Sequence, residues 1–173
     1  MNLLWPIRFD ANEWFVLAVI VIGYAAAWLL PRRFPTIVTL AILSLGVGVG
    51  FAADSLFAAP PADFFDVNDR KEFEVFDVLV YFQYPPFNYI FLYVYDRLRI
   101  KGPAVIIYVL LWSAFSVLVE GLAAHFNVFH FTKGWALKYS FVFYVITQFG
   151  LLPLFYVMKK HFVSARAKAL SKG

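Results

Sequence analysis

Three carboxylates, Asp54, Asp77 and Glu120, lie inside apolar stretches of this chain. Acids at membrane depth are costly, face protein or water, and are usually paired or functional. Asp77, Tyr81, Tyr84 and Asn88 follow the spacing of one helical face. An acid, two phenols and an amide on one face can hold a cation, relay a proton or hydrogen-bond a polar ligand. The same groups can also repair a broken backbone or orient helices, and the sequence leaves both roles open. In the structural role, the expected partner of Glu120 is Lys138. His125 and His130 are five residues apart, a spacing that does not align two ligands on one helix. They are weak metal candidates that would need acids from elsewhere. Asp66-Val67-Asn68 has a trace of a calcium loop, but Arg70 and a missing glycine break the pattern.

Signatures of catalysis are absent. The chain has no HExxH, GxSxG or Walker A sequence and no cysteine, so thiolate chemistry and disulfides are excluded. Ser140 has no base near it in sequence and reads as a packing hydroxyl. No catalytic residue and no cofactor is expected.

The elements that must position these groups are long and apolar. The chain is 62% hydrophobic and only 15% charged, with mean hydropathy +0.73. A soluble domain carries about 25% charged residues, so the chain reads as an integral membrane protein. Five stretches reach the roughly 20 residues that a crossing needs: about 13–30, 35–58, 73–98, 103–125 and 136–158, with a basic tail at 159–173. The expected architecture is one all-α domain over 1–173, a polytopic bundle of five transmembrane helices. The first stretch offers Ala25-Ala26-Ala27 as a cleavage site. Its lead carries Asp10 and Glu13 beside Arg8, and its apolar run continues through Trp28, so it is a span and not a signal peptide.

The third stretch holds Pro85-Pro86 near its middle. Two prolines remove two backbone donors, and their rings clash with the carbonyls of Tyr81 and Phe82. This predicts a kink at Pro85-Pro86, lined by protein or water and not by lipid. In the second stretch Gly46, Gly48 and Gly50 permit close helix approach, with Gly46 and Gly50 forming a GxxxG face. Residues 59–72 and 127–135 read as loops, the first with an acidic run of Asp63, Asp66, Asp69 and Glu72.

Lysines and arginines in short loops set the topology. Arg32, Arg33, Arg97, Arg99, Lys101, Lys159, Lys160, Arg166, Lys168 and Lys172 fall on one side of a five-span chain; Arg8, Arg70, Lys71, Lys133 and Lys138 fall on the other. The amino terminus is therefore expected outside and the carboxyl terminus in the cytoplasm. Asp54, Asp77 and Glu120 each lie about 26–30 Å from the cytoplasmic end of their span, at one depth in the outer part of the membrane. No internal repeat is evident, which counts against an inverted-repeat transporter in one chain.

The run FDVNDRKEFEVFDVLVYFQYPPFNYIFLYVYDRLRIKG, with Glu120 and the later TKGWALKYSFVFY, resembles a family of small multi-spanning membrane proteins found chiefly in endospore-forming Gram-positive bacteria. The shared features are Asp77, Pro86-Phe87-Asn88-Tyr89, Tyr95-Asp96, Lys133-Gly134-Trp135 and Tyr139-Ser140. The resemblance covers roughly residues 54–156. It implies this architecture and a Gram-positive plasma membrane, and adds no chemistry.

The function expected is a non-enzymatic binding, sensing or assembly subunit with an outward-facing acidic and aromatic pocket. The candidate ligand- or ion-binding residues are Asp54, Asp77, Tyr81, Tyr84, Asn88, Glu120 and Lys138. A small cation or solute transporter or channel, and an intramembrane metal-dependent lipid enzyme, are the alternatives. The partners expected are the lipid bilayer and either a second copy of the chain or another membrane protein. Nucleic acid is not among them, because the basic residues cluster at span ends.

Overall fold

The structure is a computed structural model that describes residues 4–69 and 73–170, and of 163–170 the backbone alone. Arg70, Lys71, Glu72 and Lys172, and the side chains of Arg166 and Lys168, which enter the acidic run, the charge count and the tail, lie outside the described residues. In chain order the elements are α1 (Ala11–Leu29), α2 (Thr36–Ala53) ending in a π-helical turn (Asp54–Ala58), β1 (Phe65–Val67), α3 (Val75–Tyr81), α4 (Tyr84–Arg97), α5 (Ala104–His125), β2 (Phe129–Phe131) and α6 (Leu137–Leu170).

Four helical segments are long and apolar enough to cross a membrane: α1, α2 with its π turn, α5, and residues Leu137–Phe162 of α6. Their apolar side chains largely point outward. Trp28 is 85% exposed and Leu118 68%. A water-soluble fold buries such residues, so these outward faces are consistent with a multi-pass membrane protein. α1 starts two residues before the expected span. Asp10 donates its backbone N–H to Glu13 Oε2 at 2.8 Å, one half of a capping box that fixes the start.

The chain is mostly helical, but the all-α expectation needs one correction. The two loops pair as a short antiparallel ribbon, with Phe65 opposite Phe131, Asp66 opposite His130 and Val67 opposite Phe129. Both segments alternate apolar and polar residues, the period of a strand. Thr132 N–H donates to Phe64 O, and Asn68 N–H donates to Val128 O. Lys133 closes the edge on Asp63 at 2.9 Å. Trp135 stacks on Phe64 and locks the ribbon to the bundle.

The third stretch is two helices. α3 stops at Tyr81, Phe82 and Gln83 form a tight turn, and α4 begins at Tyr84 with Pro85 and Pro86 in its first turn. Prolines are tolerated in a first turn because their missing N–H groups have no intrahelical acceptor there. The break therefore precedes the prolines by two residues. Three glycines seat it. A Cβ at Gly46 would lie 2.5 Å from Pro85 Cα, one at Gly50 2.7 Å from Tyr84 Cδ2, and one at Gly23 2.9 Å from Pro86 Cγ. Gly48 faces open space and takes no part in this approach.

At one end of the bundle, Asp96 at the foot of α4 accepts from Arg33 Nε at 2.6 Å and also pairs with Lys159. Arg33 Nη2 donates to Asp96 O at 2.9 Å. The α1–α2 turn, α4 and α6 therefore meet at one carboxylate. The ribbon caps the opposite end. Two apolar clusters fill the interior: Ile42, Phe91, Leu92 and Val109 toward the Asp96 end, and Val16, Phe76, Val80 and Val128 toward the ribbon.

Candidate functional site

Each of the three expected acids finds its own hydrogen-bond donor. Asp54, in the π turn, accepts from the Tyr81 hydroxyl at 2.6 Å. A π turn inserts one residue into the helical repeat and re-aims the side chains it carries. Asp77 caps the start of α3. Its Oδ2 accepts the Glu74 backbone N–H at 2.8 Å, and its Oδ1 accepts from Asn68 Nδ2 at 2.9 Å. Asn68 adopts a left-handed backbone (φ 56°), a conformation that asparagine tolerates better than most residues.

Glu120 is buried on α5 and accepts from Ser140 Oγ on α6 at 2.6 Å. Ser140 in turn accepts from Trp135 Nε1 at 3.1 Å. Tyr144, one turn further along α6, lines the same cavity as Glu120 and Tyr84. Ser140 is therefore more than the packing hydroxyl that its sequence setting suggests: it joins Glu120 to Trp135. Lys138 does not pair with Glu120. Its ammonium lies over the Tyr139 ring, 5.0 Å from the centroid, on the exposed side of α6. Among the described residues, none of the three acids forms an ion pair.

Glu120, and neither Asp54 nor Asp77, lines a cavity of about 70 Å³ between α2, α4, α5 and α6. Tyr84, Asn88, Glu120, Tyr144 and Gln148 supply its polar lining; Phe87, Trp112 and Phe129 supply rings. Tyr84 lies within electrostatic reach of both Glu120 and Asp54 and links the two acids. Asp77, in the first turn of α3, and its partner Asn68 are not part of this lining. Deeper in, Ser113 donates to Gln148 Oε1 at 3.1 Å. Gln83 Nε2 and Asn88 Nδ2 are buried donors with no acceptor. The arrangement is a short polar seam in an apolar bundle. It can accept a hydrogen-bond donor or a positive charge at Glu120 and offer donors a turn or two away.

The histidines do not assemble a metal centre. His125 ends α5 against Phe126, and His130 sits in β2 opposite Asp66, both exposed. Among the described residues, no three histidine, aspartate or glutamate side chains are grouped to hold a metal ion. No family model, curated protein or solved structure matches the chain.

Proposed function

We propose that this chain is a five-span membrane protein that binds a small protonated amine at Glu120 and does no covalent chemistry. The observation that carries this reading is Glu120 itself: 9% exposed, without a basic partner among the described residues, and bordering a cavity. A buried carboxylate with only hydroxyl partners is costly, and a bound cation relieves that cost, as a proton does in its absence. The ring-lined wall supports the same ligand, since aromatic faces attract organic cations. Size bounds it further. An apolar cavity of about 150 Å³ holds benzene, so about 70 Å³ admits only a few heavy atoms.

The fifth crossing in this reading is α3 with α4. Separately they rise about 10 Å and about 21 Å, and together they match the roughly 30 Å core of a bilayer. The break between them, next to Pro85-Pro86, then lies inside the bundle against Gly46 and Gly50. Asp96 on α4 joins Arg33 and Lys159 at the basic end, while α3 starts near the ribbon, which supports a full traverse. The basic end faces the cytoplasm by the positive-inside rule. The resemblance points to a plasma membrane.

Single cysteines at Asp66 and Lys168 test the topology. An impermeant thiol reagent should label the first only from outside and the second only from inside. Labelling of both from one side would reject an odd number of spans.

Glu120→Gln tests the ligand. Methylammonium should raise the melting temperature of the wild-type protein saturably, beyond equal concentrations of sodium chloride. The variant should fold and lose that response, because a ligand stabilises only the state that binds it. An equal response in both proteins would reject Glu120 as the site. Uptake of the same amine into proteoliposomes would convert the reading from binding to transport.

A further inference from the structure

A second polar cluster lies at the ribbon end of the bundle, apart from the Glu120 cavity. It brings together the first turn of α1, the turn after β1 and the start of α3. Glu13 and Glu74 are fully buried, Asn12 is 1% exposed and Asn68 is 2% exposed. Among the described residues, Glu13 Oε1, Asn12 Oδ1 and Asn68 Oδ1 are buried without a hydrogen-bond donor, and the buried Glu74 carboxylate has backbone N–H groups of Asp69 and Asp77 beside it and no side-chain donor. Buried polar atoms are nearly always satisfied, so three orphaned oxygens beside a buried carboxylate need an explanation.

Their orientations are not arbitrary. Asn12 gives its Nδ2 to Asp69 Oδ1 at 3.1 Å, and Asn68 gives its Nδ2 to Asp77 Oδ1 at 2.9 Å. An amide nitrogen held by a carboxylate leaves its oxygen as the open end. Glu13 Oε2 is held by the Asp10 N–H, which leaves Oε1 open in the same way. The Glu74 carboxylate lies within electrostatic reach of Asp77, Asp69 and Glu13. No lysine or arginine pairs with Glu13 or Glu74 among the described residues.

We propose that Glu13, Glu74, Asn12 and Asn68 bind a hard divalent cation, of the calcium class, through these oxygens. The donor set is all oxygen, two carboxylates and two carboxamides, which is the chemistry such an ion selects. The two glutamates balance two positive charges. Asp69 and Asp77 hold the two amide nitrogens and leave the amide oxygens free to accept. Half of the ligands are amides, so the site contains no trio of acidic or imidazole ligands, in keeping with the absence of such a trio among the described residues. A shared proton is the rival occupant. One proton gives a donor to one or two oxygens, whereas a cation can take several oxygens as ligands at once. Asp69, which holds the Asn12 amide, is exposed.

The test uses the full chain in detergent, stripped with chelator and titrated with calcium chloride against magnesium chloride and potassium chloride at matched ionic strength. Calcium should raise the melting temperature saturably, with half-saturation between about 10⁻⁵ and 10⁻³ M. The rise should be about 5–10 °C at roughly a hundred times that concentration. Equilibrium dialysis should give one calcium ion per chain. Glu74→Gln should abolish the response; Asn12→Ala, which keeps both carboxylates, should weaken affinity about tenfold. Glu120→Gln should keep the response in full, so this site and the amine site fail independently. Stabilisation by acid with no divalent effect would replace the cation with a proton. An unchanged response in Glu74→Gln would move the ion elsewhere. Destabilisation by Arg70→Gln without any divalent effect would show that the chain neutralises the cluster itself. Each of these three results overturns the proposal.

Discussion

Gly46→Ala is expected to lower the melting temperature by roughly 6–12 °C, from a loss of about 3 kcal/mol. The added Cβ would sit 2.5 Å from Pro85 Cα and 2.7 Å from Pro85 N. Those are backbone atoms in the first turn of α4, and no rotamer change can move them away. α2 must shift off α4, and the seat under Tyr84 and Pro85 opens. Gly48→Ala is the matched control. Its Cβ meets nothing within 4 Å, and alanine suits a helix interior better than glycine by about 0.5–1 kcal/mol. Gly48→Ala should therefore be neutral or slightly stabilising. If thermal melts of the two variants coincided, the packing of α2 on the broken third stretch would be wrong.

Tyr81→Phe is expected to cost about 1.5–3 kcal/mol, the range for a hydrogen bond to an acid whose partner is left behind. The Tyr81 hydroxyl is the donor that Asp54 Oδ2 holds at 2.6 Å. Removing it leaves the acid in the π turn without that donor, and α2 loses its link to α3. Tyr156→Phe, at a 67% exposed position, should change nothing measurable. A double-mutant cycle with Asp54→Asn isolates the pair, since neither single change then reports on the bond alone. Additive losses would show that the Tyr81–Asp54 bond contributes nothing to stability.

The Asp77 face shows how far periodicity reaches. On one unbroken helix Asp77, Tyr81, Tyr84 and Asn88 would line a single stripe. The turn at Phe82-Gln83 divides them. Asp77 and Tyr81 stay on α3 and reach Asn68 and Asp54, while Tyr84 and Asn88 on α4 face the Glu120 cavity. The proline pair announced an interruption, but its position depends on where Gly46 and Gly50 let the chain approach.

Glu120 makes the same point about pairing. Lys138 and Ser140 are two residues apart on α6, about 200° around the helix. Only one of them can face α5, and the packing presents Ser140. Charge complementarity favoured Lys138, and helix rotation decided otherwise. The orphaned oxygens at the ribbon end had only faint signals: the Asp10–Glu13 capping spacing and the asparagine after Asp66-Val67.

The sequence by itself determined the mostly helical architecture and the approximate bounds of the four helices that are long and apolar enough to cross a membrane. Those properties follow from composition and local period, and they survive any packing arrangement. It also marked Asp54, Asp77 and Glu120 as groups that need partners, because burying an acid is costly wherever its helix lies. Only the tertiary structure decided which partners they find, that two loops pair as a ribbon, and that Asn12, Glu13, Asn68 and Glu74 meet. Such meetings depend on the rotation and depth of one helix against another. These are set by close approaches such as Gly46 on Pro85, between residues far apart in the chain.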